Sequence, residues 1–311
     1  MRVLVTGGAG FIGGHTAAGL LRLEYDVTVL DNLSTGDREN VPAGCDFVQG
    51  DVRDHALVER CVRGQDAVIH LAAFTSVPES FARAEECFEV NVHGTLNVLE
   101  AITASGKGRV VFASSSAVYS EKPDTPKAEV MCPEPASPYA VSKLEGEHVL
   151  EWYHRRCGLS YVAFRYFNVY GPRQAADSDY AAVIPKFIER SLRNETLTIY
   201  GDGRQTRDFV FIEDVVAANV LAVQDVRPGI YNVGTGAATL ILSLAERIIG
   251  LARSMSAYTF APRPPGDILS STADITQITR DFAWSPKWTL DQGLEHTLEW
   301  WRNHTDGGKH D

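Results

Sequence analysis

The first two thirds of the chain alternate between short, almost fully apolar runs and longer segments with helical periodicity. Strands that are apolar on both faces are typical of a parallel sheet covered by helices on both sides. The pattern predicts strands at 2–6, 26–30, 46–49, 67–71, 109–113 and 161–165. Between and after these strands it predicts helices at 11–22, 54–62, 84–105 and 137–156.

A glycine-rich turn joins the first predicted strand to the first predicted helix, with the sequence TGGAGFIG beginning at Thr6. Glycines let the backbone approach a pyrophosphate closely, while the N–H groups and the dipole of the following helix attract the anion. Asp31 follows the second predicted strand, where a carboxylate accepts hydrogen bonds from an adenosine ribose and repels a 2′-phosphate. The arrangement predicts a dinucleotide site that binds NAD rather than NADP.

The sequence changes in character beyond Pro172, where shorter segments are interrupted by glycine and proline. The alternating strands and helices before it predict an α/β fold with a Rossmann-type, doubly wound parallel sheet. The change itself predicts a smaller C-terminal substrate-binding lobe. We expect the NAD-binding domain to span residues 1–172, with a segment near 207–235 returning to it. The lobe then comprises residues 173–206 and 236–311.

The composition argues against several classes of partner. The 311 residues carry a formal net charge of −11 at pH 7, with a pI near 5.3, whereas nucleic-acid binding depends on clustered Lys and Arg. No apolar run approaches the length of a membrane span. The five cysteines are scattered, and the nine histidines lack metal-ligand spacing. We therefore expect a cytoplasmic protein with reduced thiols, no membrane segment and no metal site.

Two titratable side chains stand four residues apart on the predicted helix 137–156. Tyr139 and Lys143 share one face of that helix, and an ammonium group next to a phenol favours the phenolate, which is a base. The predicted strand 109–113 ends in a run of serines at 114–116, which places small hydroxyl groups at the carboxyl end of the sheet. Ligands bind at that edge of such sheets, so these groups form a candidate catalytic site.

These motifs together resemble the extended short-chain dehydrogenase/reductase family, and within it the NAD-dependent nucleotide-sugar epimerases and dehydratases. The resemblance covers essentially the whole chain. It is carried by TGGAGFIG, by the Tyr139/Lys143 pair and by further segments along the sequence: HLAA at 70–73, Asn91, SSSAVY at 114–119, RYFNVYGP at 165–172, YAAVIP at 180–185, GDG at 201–203 and RDF at 207–209.

The resemblance implies roles for individual residues of this chain. The catalytic residues would be Ser115, Tyr139 and Lys143. The cofactor NAD would be bound by Gly7, Gly10, Phe11, Ile12, Gly13, Asp31, Asn32, Ser34, Gly36, Asp51, Val52, Leu71, Ala72, Ala73, Asn91, Ala113, Ser114, Tyr139, Lys143, Tyr166 and Val169. A UDP-sugar substrate would be bound by Ser115, Ser116, Tyr139, Asn168, Ala182, Val183, Ile184, Arg207, Asp267 and Ser271.

The residues after Ser115 sort the reactions of this family. Dehydratases and decarboxylases of the family carry acidic residues there, whereas this chain has Ser116 and Ala117. The resemblance then implies 4-epimerisation of a UDP-hexose, by oxidation at C4 to a 4-keto intermediate and re-reduction on the opposite face. The substrates would be UDP-glucose and UDP-galactose. Ser271, where a bulky residue would exclude an acetamido group, extends the expectation to the N-acetylated sugars.

Two alternatives remain open at the level of sequence. One is another NAD-dependent nucleotide-sugar enzyme, such as a UDP-glucuronate 4-epimerase or a reductase. The other is a non-catalytic NAD-sensing scaffold, which is disfavoured because such proteins tend to lose the tyrosine or the lysine. The resemblance also implies a homodimer formed through helices 84–105 and 137–156, with apolar surface from Leu96, Val98, Leu99, Leu144 and Val149.

Overall fold

The computed structural model describes residues 1–106, 108–119, 126–176, 182–225, 227–263 and 268–305. Its strands are β1 Arg2–Thr6, β2 Asp26–Asp31, β3 Asp46–Gln49, β4 Ala67–His70, β5 Arg109–Ser115, β6 Ser160–Tyr166, β7 Asn168–Tyr170, β8 Leu197–Tyr200, β9 Thr206–Arg207, β10 Phe209–Phe211, β11 Gly229–Val233, β12 Thr239–Leu240 and β13 Tyr258–Ala261. Its α-helices are α1 Phe11–Leu21, α2 His55–Val62, α3 Val77–Ala82, α4 Ala84–Phe88, α5 Gly94–Ala104, α6 Pro138–Cys157, α7 Val183–Leu192, α8 Ile212–Gln224, α9 Ile241–Ala252, α10 Thr276–Phe282 and α11 Leu290–Thr305.

Seven strands form one parallel sheet in the order β11-β6-β5-β4-β1-β2-β3. The order reverses direction between β1 and β4, which is the point where open parallel sheets of this kind bind ligands. The predicted Rossmann-type fold is therefore confirmed, and all six predicted strands are present in the sheet. The seventh strand, β11, pairs with β6 and comes from the C-terminal half of the chain.

Beyond Pro172 the described residues form five α-helices, α7 to α11, and most of the strands of three two-stranded sheets. Strand β8 pairs with β13, β9 with β12, and β7 with β10. Helices α7, α9 and α11 pack against one another. Their buried apolar side chains, such as Ile188, Leu244 and Leu298, belong to the same core cluster as Val3 and Val5 of β1. The lobe is thus continuous with the core under the main sheet. Within the described residues, no helix combines the length and the apolar character needed to cross a bilayer.

The predicted helix at 84–105 is wrong in detail, because the structure divides it into three parts. Helix α4 ends at Phe88, a π-helical turn follows at Glu89–His93, and α5 begins at Gly94. A π-turn inserts an extra residue into the helical repeat, which redirects the side chains inside it and occurs frequently at functional sites. Here it directs Asn91 inward, where its side chain is 2% exposed. Periodicity alone does not reveal such an insertion.

The apolar residues expected to form a dimer interface divide between two environments. Val98 and Leu99 are fully buried in the chain's own core, against the sheet. Leu96, Leu144 and Val149 are partly exposed and retain apolar surface. The homodimer stays a prediction that rests on these outer positions.

Helix α6 is fastened to the sheet by a buried ion pair. Arg165 of β6 donates to Glu147 of α6 through Nη2 at 2.6 Å and Nε at 2.8 Å, and the two side chains are 3% and 1% exposed. Ser114 of β5 donates to the same carboxylate. Because a lone charge in this position would be buried without a counter-ion, each partner depends on the other.

We therefore predict that Arg165→Met lowers the free energy of unfolding by about 3–5 kcal/mol, because Glu147 loses its counter-ion in the core. Urea denaturation measures the change. The matched control is Arg63→Met, which removes the exposed ion pair with Glu59 (3.2 Å, side chains 74% and 50% exposed) and is expected to cost less than about 1 kcal/mol. Equal losses in the two variants would contradict the assignment.

Candidate active site

The glycine-rich turn between β1 and α1 forms a backbone cradle that side chains would fill. Gly7 has φ of +70°, and a Cβ there would lie 2.6 Å from the Ala72 nitrogen. At Gly13 a Cβ would lie 2.0 Å from the Gly7 oxygen. Gly10, which precedes α1, supplies no side-chain cap, so the N–H groups of the first helical turn are open to an anion. The residues present therefore fit the pyrophosphate of a dinucleotide.

The carboxylate of Asp31 is fixed at the end of β2. Its two oxygens accept hydrogen bonds from the Ala9 nitrogen at 2.9 Å and the Leu33 nitrogen at 2.8 Å. Asp31 lines the cavity although it is only 8% exposed. Each carboxylate oxygen can accept a second hydrogen bond, so the group is held in place to receive ribose hydroxyls.

A second carboxylate, Asp51, lies at the same end of the cavity and is paired rather than free. Arg53 donates to it through Nε at 3.0 Å and Nη2 at 2.8 Å, and Asn32 donates at 2.9 Å. These hydrogen bonds, those of Arg53 foremost, lower the pKa of Asp51 to about 2. Asp51 is therefore an anion at all working pH values, and the Arg53 side chain is fixed along the cavity wall.

The N-terminus of α6 positions the two residues of the Tyr-Lys pair. Ser137 caps the helix by accepting from the Ala140 nitrogen at 3.1 Å, and Pro138 occupies the first helical position. Tyr139 and Lys143 then lie one turn apart, with the Lys143 nitrogen 5.8 Å from the centroid of the Tyr139 ring. The same nitrogen donates to the Ala113 oxygen of β5 at 2.8 Å. Both side chains line the cavity.

Burial disfavours the charged form of both side chains. It lowers the pKa of Lys143 to about 8 and raises the pKa of the Tyr139 phenol. A hydrogen bond with Ser115, the last residue of β5, acts against the second shift. The arrangement can hold a proton on the phenol or remove one from a bound hydroxyl group, which is general acid–base chemistry.

These groups surround one cavity of about 1140 Å³ that opens along the carboxyl ends of the strands. The structure brings to it most of the residues that the resemblance assigned to the cofactor and to catalysis: Gly7, Gly10, Phe11, Ile12, Gly13, Asp31, Asn32, Ser34, Gly36, Asp51, Val52, Leu71, Ala72, Ala73, Ala113, Ser114, Ser115, Tyr139, Lys143, Tyr166 and Val169. Asn168, expected at the substrate, also lines it.

The other expected residues that the structure describes do not line this cavity. Asn91 is buried behind α6, and Asp267 lies outside the described residues. Arg207 donates through Nη1 to two backbone carbonyl oxygens, those of Thr206 at 2.8 Å and Ile268 at 2.6 Å. Five further residues expected at the substrate are also absent from the lining of the cavity: Ser116, Ala182, Val183, Ile184 and Ser271.

The cavity also has walls that the sequence analysis did not identify. Arg173 lines it in a left-handed conformation with φ of 67°, and the Trp300 and His304 rings at the end of α11 stack at 4.4 Å between centroids. They follow no recognisable motif and come from distant parts of the chain, so only the tertiary structure brings them to the site. The described residues bring together no group of three or more His, Cys, Asp or Glu side chains that could hold a metal ion.

Comparison with known proteins agrees with this geometry. Residues 3–234 match the model of the NAD dependent epimerase/dehydratase family. The crystal structure of UDP-glucose 4-epimerase from Thermus thermophilus in complex with NAD is 41% identical, with a TM-score of 0.92 and coverage of 98% of this chain and 100% of that one. The UDP-N-acetylglucosamine 4-epimerase of Methanobrevibacter ruminantium M1, in complex with UDP-N-acetylmuramic acid, is 38% identical with a TM-score of 0.93, covering 97% and 98%.

Relatives with a different reaction match over the same length. The UDP-N-acetyl-alpha-D-glucosaminuronate decarboxylase of Bacillus cytotoxicus is 34% identical over 316 residues, 97% of this chain and 98% of that protein. The fold and the site thus define an NAD-dependent enzyme of the Rossmann type. The chain belongs to the NAD dependent epimerase/dehydratase family.

The position of Asp31 leads to a prediction about cofactor choice. Asp31→Ser combined with Asn32→Arg should shift the ratio of NADP to NAD affinity toward NADP by about tenfold or more, or about 1.4 kcal/mol, because a cation replaces the repelling carboxylate. Titration of both cofactors against the cofactor-free protein measures the ratio. Asp31→Asn, which keeps a hydrogen-bond acceptor, is the control for the loss of charge alone. A wild-type protein that binds NADP more tightly than NAD would contradict the role of Asp31.

Proposed function

We propose that this protein catalyses the NAD-dependent 4-epimerisation of a UDP-hexose. The observation that carries the proposal is the end of β5, where Ser115 faces Tyr139 and Lys143 and is followed by Ser116 and Ala117 instead of an acidic residue. A hydroxyl-phenol-ammonium set without a neighbouring carboxyl group supports oxidation and reduction at an alcohol carbon. Directly after Ser115 the chain offers no acid to expel a hydroxyl group from the sugar.

The side chains have distinct tasks in this reaction. Tyr139 accepts the proton of the C4 hydroxyl group, and Ser115 holds that hydroxyl by a hydrogen bond. The Lys143 ammonium, 5.8 Å from the ring centroid, stabilises the phenolate. NAD, held along the cradle by the glycine-rich turn and Asp31, would supply the acceptor and donor for the hydride at C4. The 4-keto sugar then rotates in the site and presents the opposite face of C4. On re-reduction the Tyr139 phenol returns the proton, which completes the C4 epimer.

The alternatives differ in what they require of the substrate. A UDP-glucuronate 4-epimerase or a reductase would use the same three side chains, so the substrate range decides between them. A decarboxylase, as the Bacillus cytotoxicus relative is named, is disfavoured by the absence of an acid directly after Ser115. A scaffold that only senses NAD is disfavoured because Tyr139 and Lys143 are both present and both line the cavity.

The test is direct. Separate incubation with UDP-glucose, UDP-N-acetylglucosamine and UDP-glucuronate, followed by chromatographic analysis, is expected to show the C4 epimer of UDP-glucose.

Tyr139→Phe should lower the rate by about 10²–10⁴-fold, because the proton acceptor is removed, with folding and bound NAD retained. Circular dichroism and the NAD content of the purified protein are the controls. Epimerisation of UDP-glucuronate alone would favour the alternative enzyme, and near wild-type turnover by Tyr139→Phe would rule out the mechanism.

Substrate range extends the same test. We propose that UDP-N-acetylglucosamine is accepted as well, in line with the named activity of the Methanobrevibacter ruminantium relative. The resemblance assigns Ser271 to the C2 substituent, although Ser271 does not line the cavity described above, and a serine lacks the bulk that would exclude an acetamido group. Ser271→Tyr should then suppress the N-acetylated substrate and largely spare UDP-glucose. Ser271 is 7% exposed, so Ser271→Ala and a thermal melt are needed to separate exclusion from loss of folding.

A further inference from the structure

The backbone N–H group of Tyr139 has a partner outside its own helix. Tyr139 is the second residue of α6, where an N–H has no acceptor within the helix. It donates instead to the hydroxyl oxygen of Ser80, at 3.3 Å. Ser80 belongs to α3 and is fully buried, and its own hydroxyl donates to the Val77 oxygen at 2.6 Å. One serine thus connects α3 to the peptide of the catalytic tyrosine.

The backbone carbonyl group of Tyr139 is held in the same way from the other side. The Ser142 hydroxyl donates to the Tyr139 oxygen at 2.8 Å, and it accepts from the Asn91 side-chain nitrogen at 2.9 Å. Asn91 also bonds both groups of the Phe74 peptide, accepting from its nitrogen at 2.7 Å and donating to its oxygen at 3.1 Å. The π-turn that contains Asn91 therefore serves to connect α6 to the segment after β4.

Both connections end on one short stretch of chain. Phe74 and Val77 flank Thr75 and Ser76, and the cavity is lined by Phe74, Thr75 and Ser76. Ser80, Ser142 and Asn91 are 0%, 0% and 2% exposed, so water does not compete for these hydrogen bonds. The segment 74–80 and the peptide of Tyr139 form a single hydrogen-bonded unit.

We propose that Ser80 and Ser142 are positioning residues. They fix the position of the Tyr139 phenol by hydrogen-bonding the backbone N–H and the backbone carbonyl of Tyr139. The inference rests on the proposed function. Neither serine lines the cavity, so each acts through Tyr139. Loss of the Ser80 hydroxyl leaves the Tyr139 N–H without its partner, and loss of the Ser142 hydroxyl removes the link from the Tyr139 carbonyl to Asn91, so that in either case the first turn of α6 can shift. The phenol then moves relative to Ser115 and Lys143, and misplacement of about 1 Å is enough to lower a rate by roughly 100-fold.

The test compares Ser80→Ala and Ser142→Ala with the wild-type holoenzyme. We expect kcat for UDP-glucose to fall by about tenfold to 100-fold in each, while KM changes by less than about twofold, because substrate contacts are retained. The second readout is an ultraviolet difference titration against Tyr139→Phe, which follows the phenol itself. Its midpoint should move to higher pH in both variants, because the hydrogen bond with Ser115 that favours the phenolate is weakened. Ser142→Thr keeps the hydroxyl and should restore most of the rate.

The control is Thr297→Val, which removes another buried hydroxyl that donates to a carbonyl in its own helix, that of Gly293 at 2.6 Å. It should leave kcat and the phenol titration unchanged. A fall in kcat without a shift of the titration, or the same fall in the control, would overturn the positioning role. If the wild-type protein epimerises no UDP-sugar, the proposed function fails, while the titration still decides whether the serines place the phenol. Two variants are used so that a failure of one to fold leaves the other as the test.

Discussion

Helix α6 lies so close to strand β5 that only glycine fits at position 146. A Cβ there would lie 2.4 Å from the ring of Phe112, the side chain on β5 beneath it. One residue further along, Glu147 forms its buried ion pair with Arg165 and accepts from Ser114. This contact fixes both the distance and the rotation of α6 relative to the carboxyl end of the sheet. Tyr139 and Lys143 lie on the preceding turns of the same helix, so the position of this pair depends on the contact.

Close packing also determines the electrostatics of the pair. Because Lys143 and Tyr139 are both removed from water, the pKa of the ammonium is lowered to about 8 and that of the phenol is raised. His70, beneath them, bonds Thr6 at 2.7 Å and Thr95 at 3.0 Å, and burial lowers its pKa to about 3. The imidazole is therefore neutral, and Lys143 remains the cation next to the Tyr139 ring. A cationic cofactor ring and one ammonium can then act together on the phenol.

Much of the fold follows from local sequence patterns, whereas parts of the site do not. The run TGGAGFIG, Asp31 and the Tyr139/Lys143 pair each combine a motif with a strand or helix boundary, and the structure brings them to one cavity. The π-turn at Glu89–His93 breaks a helix that periodicity predicts to be continuous. Asn91 in this turn hydrogen-bonds Phe74 and Ser142, which are distant in sequence, so no local pattern announces the turn.

The placement of side chains from the C-terminal half of the chain shows the same limit. Arg207 fits a phosphate by its chemistry, yet in the structure its guanidinium donates to the carbonyl oxygens of Thr206 and Ile268. The stacked rings of Trp300 and His304 reach the cavity only because α11 packs against α7 and α9. Such placements depend on how separate segments pack, and a single sequence contains no local pattern that specifies them.

In the proposed reaction, one hydrogen is removed from C4 and returned to the same carbon without exchange with the solvent. Incubation of the holoenzyme with UDP-glucose deuterated at C4, followed by mass spectrometry and NMR of the product, tests this directly. We expect UDP-galactose that keeps the deuterium at C4 and takes up no hydrogen from the solvent at that carbon. A product that has lost the label, or that carries solvent hydrogen at C4, would contradict the account.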